Sequence, residues 1–204
     1  SEHELDQSLK DKIALFCNVP NSHVLQNLDV EYLYEAPLAM EKENLAKVAC
    51  EALHLACPEP DLKDWEAMVD ALRHPNKEVK IALVGKYIAL HDAYISVVEA
   101  LKHGGIAEHA TVNIKWIDSE ELTPENADEY LGDVSGILVP GGFGSRGVEG
   151  KILAAQYARE HKVPYLGLCL GMQVAIIEFA RHVCGFNDAH SVELDPNTTH
   201  PVIA

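Results

Sequence analysis

The sequence predicts an α/β fold built on a parallel, Rossmann-like sheet. From residue 79 onward, short apolar runs that suit buried strands alternate with segments of helical periodicity, and this alternation is typical of parallel sheets. Two of the apolar runs lead directly into glycine-rich turns, which therefore lie at the edge where open α/β sheets bind ligands. The 204 residues suffice for one sizeable core and a smaller unit beside it.

The N-terminal part has weaker signals than the rest of the chain. The expected elements are a strand over 12–19, an extended segment over 27–34, a helix over 37–53 and a second helix from Asp61 to His74. Pro20 ends the strand, and Pro58 and Pro60 break the first helix. Asp61 is the expected N-cap of the second helix, since its carboxylate can accept a hydrogen bond from a free backbone N–H.

The C-terminal part has the regular alternation. The expected strands cover 79–85, 112–117 and 136–139 and begin again at 163, and the expected helices cover 92–102, 125–131, 148–160 and 174–182. Gly104 and Gly105 are expected to end the first of these helices, because glycine is a poor helix former. The four strands should form a single parallel sheet.

Cys169 lies in the most informative segment, residues 164–173. A short apolar strand runs into this cysteine and then into a helix, and Gly167 and Gly171 lie two residues to either side. A side chain at such a sharp strand-to-helix turn projects clear of the sheet, and its neighbours must be small. The following helix directs its N-terminal N–H groups and dipole at the sulfur, which favours the thiolate. This pattern predicts a catalytic nucleophile rather than a buried structural cysteine.

A glycine-rich turn at 140–144 follows the strand at 136–139 and complements the cysteine turn. Attack of a thiolate on an amide builds negative charge on the carbonyl oxygen, which needs hydrogen-bond donors. Glycines at the end of a strand allow backbone N–H groups to point at such an oxygen. We therefore expect the N–H groups of Gly142 and Leu170 to form an oxyanion hole.

Composition excludes several classes of function. The net charge of −16 argues against nonspecific binding of nucleic acid or of anionic membranes, and no apolar run is long enough for a membrane span. The N-terminus is polar and acidic, unlike a signal peptide. Five scattered cysteines without a C-x-x-C pair indicate reduced thiols in a cytoplasmic protein, and no metal site is expected.

At the cysteine turn the chain resembles the class I glutamine amidotransferases, which hydrolyse glutamine through a cysteine thioester at a G-x-C-x-G-x-Q turn. Residues 85–105 resemble the start of the amidotransferase domain of the CTP synthase family. Residues 140–150 resemble its oxyanion loop and lid, and residues 12–20 resemble the tail of its synthetase domain.

The resemblance implies a domain organisation. Residues 1–57 correspond to the C-terminal part of the synthetase (amidoligase) domain, 58–77 to an interdomain linker, and 78–204 to the N-terminal part of the amidotransferase domain. Members of this family are cytoplasmic homotetrameric carbon–nitrogen ligases of pyrimidine biosynthesis. They make CTP from UTP, ATP and glutamine with Mg²⁺, whose site would lie outside this chain. GTP activates them, and CTP is both product and inhibitor.

The resemblance also implies roles for individual residues. Cys169 is the nucleophile, and the glutamine contacts are Gly142, Leu170, Gly171, Met172, Gln173 and Glu193. A carboxylate at Glu193 suits recognition of the α-ammonium group. Phe143 and Arg146 belong to the lid that binds GTP, since a ring can stack on a base and a guanidinium can bind phosphate. Lys12 matches a pyrimidine-nucleotide contact, and Val30 matches a backbone contact to the adenine of ATP.

The chain departs from the family pattern in two respects. The family's base is a histidine oriented by a glutamate, His-Pro-Glu, whereas no His-x-Glu occurs here and Val202 follows His200-Pro201. No G-x-x-x-x-G-K-[ST] loop is present to hold ATP phosphates. Because the sequence ends at Ala204 inside an apolar run, we expect a fragment that makes no CTP and hydrolyses no glutamine by itself.

Two alternatives come from other classes of protein. A non-catalytic amidotransferase-like fragment that serves as a binding or assembly module would retain Cys169 and bind glutamine weakly without turnover. An α/β protein of the stress-response, glyoxalase-like type also has a cysteine turn. Such proteins usually place an acidic residue near the cysteine and lack both Gln173 and the segment 85–105, so this alternative is disfavoured.

Overall fold

The structure is a computed structural model that describes residues 2–56 and 58–204. It divides the chain into two compact units, Ser1–His74 and Pro75–Ala204. The first is helical in its described residues, and the second contains a parallel sheet with helices, which confirms the predicted α/β class. The predicted domain boundary at residue 57 falls outside the described residues, and the division into 1–57, 58–77 and 78–204 stays a prediction.

The first unit consists of short helices joined by irregular segments. They are α1 (Gln7–Cys17), α2 (Ala36–Lys42), α3 (Leu45–Ala52) and α4 (Lys63–Arg73), with 3-10 turns at Asn21–His23 and Leu33–Glu35. The side chain of Trp65 donates a hydrogen bond to the carbonyl of Tyr34 at 2.7 Å, and Arg73 pairs with Glu35 at 2.5 Å. These contacts tie α4 to the segment around residue 34.

The predicted strand over residues 12–19 is wrong, because α1 covers most of it. The carboxylate of Asp6 accepts a hydrogen bond from the amide of Leu9 at 2.8 Å and so caps the helix. Leu15 and Phe16, which made the run look like a buried strand, are 78% and 86% exposed. A short apolar run does not distinguish a strand from a helix, and here the cap decides.

The other N-terminal predictions need smaller corrections. No strand forms over residues 27–34 among the described residues, and the segment ends in a 3-10 turn. The predicted helix over 37–53 is split into α2 and α3 at Asn44, whose φ of 61° is left-handed. The next helix begins at Lys63, whose amide donates to the carboxylate of Asp61 at 3.2 Å, so Asp61 does supply a hydrogen bond at the helix start.

The second unit is built on four parallel strands, as predicted. They are β1 (Lys77–Gly85), β2 (Ala110–Asp118), β3 (Gly136–Val139) and β4 (Tyr165–Gly167), arranged in the order β2-β1-β3-β4. Strand β3 and the C-terminal half of β1, residues 82–85, are buried and carry no polar side chains because helices cover both faces of the sheet. The carboxyl ends of all four strands meet at one edge, and the site lies there.

Four helices pack on this sheet: α5 (Ile95–Ala107), α6 (Ala127–Leu131), α7 (Val148–His161) and α8 (Leu170–His182). Ala82 and Val84 on β1 face the larger core, which includes side chains of α6, α7 and α8. Leu83, between them, faces the opposite side, where it packs with Tyr94 and partly buried side chains of α5. This alternation along β1 creates the two cores of a three-layer arrangement.

Two predicted helix boundaries are wrong. The helix α5 continues through Gly104 and Gly105 to Ala107. A Cβ atom on Gly105 would lie 2.6 Å from the carbonyl oxygen of Ala110, so this glycine allows close packing of α5 on β2 rather than ending the helix. The helix after the cysteine begins at Leu170, four residues before the predicted start.

A second, two-stranded sheet and an ion pair between α7 and α8 complete the second unit. Two short strands, β5 (His190–Ser191) and β6 (Pro201–Ile203), form a separate parallel pair. Arg159 of α7 donates three hydrogen bonds to the buried carboxylate of Glu178 of α8, two to Oε1 at 3.0 and 2.8 Å and one to Oε2 at 3.2 Å. This bidentate pair fixes α7 against α8. The described residues contain no helix long and apolar enough to span a membrane.

Candidate active site

Cys169 occupies a strained turn between β4 and α8. Its backbone has φ 52° and ψ −106°, a conformation that residues other than glycine rarely adopt. The side chain is exposed, and α8 begins at the next residue. A reactive group held in a strained, exposed turn at the carboxyl edge of a parallel sheet is accessible to a small molecule.

The two flanking glycines are required by close packing. A Cβ atom on Gly171 would lie 2.0 Å from the carbonyl oxygen of Val139, at the end of β3. A Cβ atom on Gly167 would lie 2.4 Å from backbone atoms of Gly171. Since no side chain fits at either position, the two glycines bring β3, β4 and the start of α8 together and fix where Cys169 projects.

The N-terminus of α8 lies directly at Cys169, the predicted nucleophile. The carbonyl of Cys169 accepts hydrogen bonds from the amides of Met172 and Gln173, at 3.0 and 3.2 Å. The first N–H groups of α8 and its dipole are therefore next to the sulfur, an arrangement that favours a thiolate. Tyr165 supports the turn from β4 by donating a hydrogen bond to the carbonyl of Gly171 at 2.7 Å, and its burial raises the pKa of this phenol.

The glycine loop after β3, residues 140–144, lies against Cys169. A Cβ atom on Gly141 would lie 3.5 Å from the Cβ of Cys169, which is ordinary contact distance. Neither Gly142 nor Leu170 donates its amide N–H to an acceptor within the part of the chain that the structure describes. Both amides are thus free to bind a substrate oxygen, as the predicted oxyanion hole requires.

Of the two predicted lid residues, Phe143 lies in this loop and Arg146 lies just after it. Phe143 is 82% exposed, so its ring is available for stacking. Arg146 forms an ion pair with Glu120 at 2.7 Å and donates a hydrogen bond to the carbonyl of Lys86 at 3.3 Å. Its guanidinium also lies over the ring of Tyr87, 5.6 Å from the ring centre. These contacts attach the loop to the carboxyl end of β1.

Two buried lysines near the glycine loop were missed by the sequence analysis. Lys86 is 8% exposed and Lys151 is 1% exposed. A Cβ atom on Gly142 would lie 3.7 Å from Nζ of Lys151 and 3.8 Å from Cε of Lys86. Burial, and next the charges of Lys86 and Arg146, lower the pKa of Lys151. An otherwise acidic chain therefore has a local cationic region at this site.

The other predicted glutamine contacts lie at the start of α8 and in the turn after β5. Met172 and Gln173 lie in the first turn of α8, beside Cys169. Glu193 is exposed in the turn after β5, where its amide donates a hydrogen bond to the hydroxyl of Ser191 at 3.2 Å. The contacts of Glu193 lie within its own turn, and its role in binding glutamine stays a prediction.

His200, which the sequence analysis considered because of its following proline, pairs with Asp188 at 2.5 Å. Its ring stacks on that of Phe186, with 4.7 Å between ring centres. Hydrogen bonds from Thr199 and His200 lower the pKa of the Asp188 carboxyl. A carboxylate thus does orient this imidazole, although from an aspartate twelve positions earlier and not from the residue that follows the proline.

A cavity of about 570 Å³ lies along the outer face of α8. Its lining is almost entirely apolar and includes Met172, Phe179, Cys184 and Phe186. Cys169 does not line it. An apolar cavity without donors or acceptors does not suit an amino-acid substrate, so the candidate site is the edge around Cys169.

The remaining predicted nucleotide contacts lie in the first unit. Lys12 is exposed on α1. Val30 lines a cavity of about 460 Å³ together with Glu35, Glu66 and Arg73. Within residues 2–56 and 58–204, no group of three or more histidine, cysteine, aspartate or glutamate side chains is arranged to hold a metal ion.

Comparison with known proteins agrees with this geometry. Residues 89–202 match the family model of glutamine amidotransferase class-I, and residues 1–55 match that of the CTP synthase N-terminus. The glutaminase domain of Trypanosoma brucei CTPS with bound acivicin superimposes with a TM-score of 0.57 at 50% identity, covering 61% of this chain and 48% of that chain.

Curated relatives match over the whole length of the chain. CTP synthase of Clostridium kluyveri is 57% identical over 203 residues, and that of Halalkalibacterium halodurans is 53% identical over 203 residues. The chain spans 38% of the length of these relatives. The resemblance to CTP synthases is thereby confirmed, and the match over residues 89–202 shows that this chain belongs to the class-I glutamine amidotransferase family.

Proposed function

We propose that the site at Cys169 hydrolyses the side-chain amide of glutamine and that the ammonia serves the ATP-dependent conversion of UTP to CTP. The observation that carries the proposal is the strained turn of Cys169, at φ 52°, facing a glycine loop with free N–H groups. The names of the relatives, CTP synthase, support the second half of the proposal.

The chemistry follows from the arrangement of donors around the sulfur. The Cys169 thiolate attacks the amide carbon, and the oxygen that becomes negative binds the N–H groups of Gly142 and Leu170. Collapse of the tetrahedral intermediate breaks the carbon–nitrogen bond and leaves a thioester on Cys169. The nitrogen takes up the proton that the Cys169 thiol lost on ionising and leaves as ammonia. Water then hydrolyses the thioester to glutamate and restores the thiol.

Glutamine is held along the start of α8. In this proposal Gly142, Leu170 and Gly171 bind the amide end through backbone groups, while Met172 and Gln173 bind along the stem. Glu193 binds the α-ammonium group with its carboxylate, which is exposed and therefore accessible. These assignments place the reactive end of the substrate at the sulfur and its charged end toward solvent.

The lid has the chemistry needed for activation by GTP. Phe143 offers an exposed ring for stacking on the base, and the guanidinium of Arg146 suits phosphate or a base edge. The ion pair between Arg146 and Glu120 is half-exposed, so exchanging it for a nucleotide contact costs little. Binding of GTP would then change the position of the loop that contains Gly142.

The remaining partners belong to the first unit and to the whole enzyme. Lys12 is proposed to contact UTP or CTP, and Val30 to contact ATP through its backbone. Mg²⁺ would bind with ATP at residues outside this chain, and CTP would act as product and inhibitor. A cytoplasmic homotetramer is proposed by analogy with the family.

A non-catalytic binding or assembly module is the second candidate. It is favoured by one observation, the absence of a His-x-Glu pair from the sequence, because a cysteine nucleophile of this class needs a base to move protons. The two candidates differ in the reactivity of Cys169, since only a catalytic site needs an activated thiol.

Covalent labelling by acivicin, an electrophilic amino acid, tests the proposal. We expect intact-mass spectrometry to show one adduct per chain, lost in Cys169→Ser and retained in Cys184→Ser, which removes another exposed thiol. Excess glutamine should slow the labelling. We also expect the 204-residue chain to release no ammonia from glutamine, because it lacks the family's base. Equal labelling of the two cysteine variants would contradict the proposed site.

A further inference from the structure

Two buried ammonium groups lie next to the glycine loop after β3. Lys86 projects from the end of β1, and Lys151 from the first turn of α7. Lysine is rarely buried without a carboxylate partner, since desolvating its charge is costly. Across residues 2–56 and 58–204 no carboxylate lies within 4.0 Å of either ammonium group, which shows that their charges are not neutralised by salt bridges.

Lys86 binds the loop directly. Its ammonium group donates a hydrogen bond to the carbonyl oxygen of Phe143. Gly142 precedes this residue and Gly144 follows it, so the loop backbone has wide conformational freedom without such a bond. This bond orients the peptide unit between Phe143 and Gly144. The N–H of Gly142 lies two peptide units earlier, so Lys86 acts on it by limiting the conformations open to the short loop as a whole.

Lys151 approaches the same loop from α7. Its Nζ lies 3.7 Å from the position that a Cβ atom on Gly142 would occupy, so it packs directly behind this residue. A desolvated positive charge close to the predicted oxyanion hole stabilises negative charge that develops there. Half-exposed Arg146 and Glu120 lie at the rim of this region, and their ion pair leaves the buried ammonium of Lys151 without a counter-charge.

We infer that Lys86 and Lys151 are positioning residues that hold the Gly142 amide in the orientation needed to bind the substrate oxygen. The inference rests on the proposed function, because this orientation matters only if Cys169 attacks a carbonyl. Lys86 acts through the carbonyl of Phe143, and Lys151 acts through its charge behind Gly142. Neither side chain touches the reacting atoms in this inference.

The Gly142 amide can be observed by itself in this chain. Of the 13 glycines, only Gly105 and Gly142 follow another glycine, so a chain labelled with ¹³C,¹⁵N-glycine alone gives two signals in an HNCO spectrum. Gly105 lies inside α5 and reports whether the unit is folded. The spectrum therefore contains the probe and its internal control.

Substitutions that remove charge but keep the side-chain length test the inference. Lys86→Met and Lys151→Met should each shift the Gly142 signal, with the Gly105 signal unchanged. Lys80→Met removes a half-exposed lysine of β1 that pairs with Asp133, and it should leave the Gly142 signal unchanged. An unmoved Gly142 signal in both variants would overturn the inference.

A reactivity readout separates positioning from mere packing. Acivicin labelling of Cys169 should slow about tenfold in Lys86→Met. Acivicin reacts by addition of the thiolate to its C=N carbon and loss of chloride, so negative charge develops on the ring nitrogen, where the Gly142 amide can stabilise it. Alkylation by iodoacetamide displaces iodide directly and builds no such charge, so it should proceed at the parent rate, and Lys86→Arg should restore acivicin labelling. Equal slowing of both reagents would mean a structural effect and would overturn the inference.

Two further outcomes keep the tests independent. If a variant does not fold, an ammonium-selective ¹H–¹⁵N spectrum of the unsubstituted chain tests the inference instead. The buried ammonium groups of Lys86 and Lys151 should exchange their hydrogens slowly and give two signals. Absence of these two signals would overturn the inference. If acivicin fails to label the parent chain while Gly142 still responds to the lysines, the proposed function fails and the structural link between the lysines and the loop stands.

Discussion

The cysteine turn and the glycine loop both contain glycines, but these glycines serve different purposes. At the cysteine turn, Cβ atoms on Gly167 and Gly171 would lie 2.4 and 2.0 Å from backbone atoms, so glycine is required by lack of space. In the loop, the nearest atom to a Cβ on Gly142 would be 3.7 Å away, and nothing lies within 4 Å of one on Gly144. The turn holds Cys169 rigidly, whereas the loop retains conformational freedom that other side chains must restrict.

Substitution at the turn should have the largest effect. Gly171→Ala places a methyl group against the carbonyl of Val139, at the end of β3, and neither backbone can move without disrupting the sheet. We expect the free energy of unfolding to fall by about 3–5 kcal/mol, measured by urea denaturation of the second unit.

The matched control is Gly144→Ala in the loop. Its φ of 77° makes alanine unfavourable, but the space around it is open, so the expected loss is only about 1 kcal/mol. Similar losses in Gly171→Ala and Gly144→Ala would show that the two regions do not differ in the way described.

Replacing Cys169 by glycine should stabilise the protein. Cys169 has a φ of 52°, so Cys169→Gly removes the backbone strain while deleting the thiol. We expect a gain of about 1–2 kcal/mol in the free energy of unfolding, together with complete loss of acivicin labelling. Thermal and urea denaturation measure the gain.

Cys169→Ala separates loss of the thiol from relief of backbone strain. It deletes the thiol but keeps a Cβ atom in the strained conformation. It should lose labelling without gaining the stability of Cys169→Gly. Equal stability of the alanine and glycine variants would mean that the turn stores no strain.

The sequence was sufficient to predict most of the second unit and the centre of the site. Apolar runs flanked by polar segments predicted the strands β1 and β3, because a sheet covered on both faces needs continuous apolar strands. The spacing of Gly167, Cys169 and Gly171 predicted the turn, since the glycines are adjacent in sequence to the residue they serve. Such local requirements are visible in a single sequence.

Features that depend on distant partners were not predictable. The apolar run at residues 12–19 forms a helix whose Leu15 and Phe16 are exposed, and Gly105 lies inside a helix because it packs on Ala110. Lys151 looks like any solvated lysine of a helix until the fold places Ser119 and Gly142 around that turn. Burial of a charged side chain is a property of the assembled structure, so no local pattern reports it.

The smallest effect is expected from Lys151, which lies behind the loop. Replacing it should change how the free energy of unfolding depends on pH. Burial and the neighbouring cations lower the pKa of Lys151 below its ordinary value of 10.5, so the folded protein releases this proton at a lower pH than the unfolded chain. Between these two values the unfolded chain binds more protons, and stability therefore rises with pH. Below the pKa of Lys151 in the folded protein, the buried charge destabilises the protein by a constant amount.

Lys151→Met removes the ammonium group. The difference in unfolding free energy between the methionine variant and the parent should therefore shrink as the pH rises toward 10.5. Urea denaturation of both proteins at several alkaline pH values measures this difference, in which the contributions of Tyr157 and Tyr165 cancel. A difference that stays constant with pH would mean that Lys151 is solvated like an ordinary lysine, and the loop would then lack the buried charge that distinguishes it from the cysteine turn.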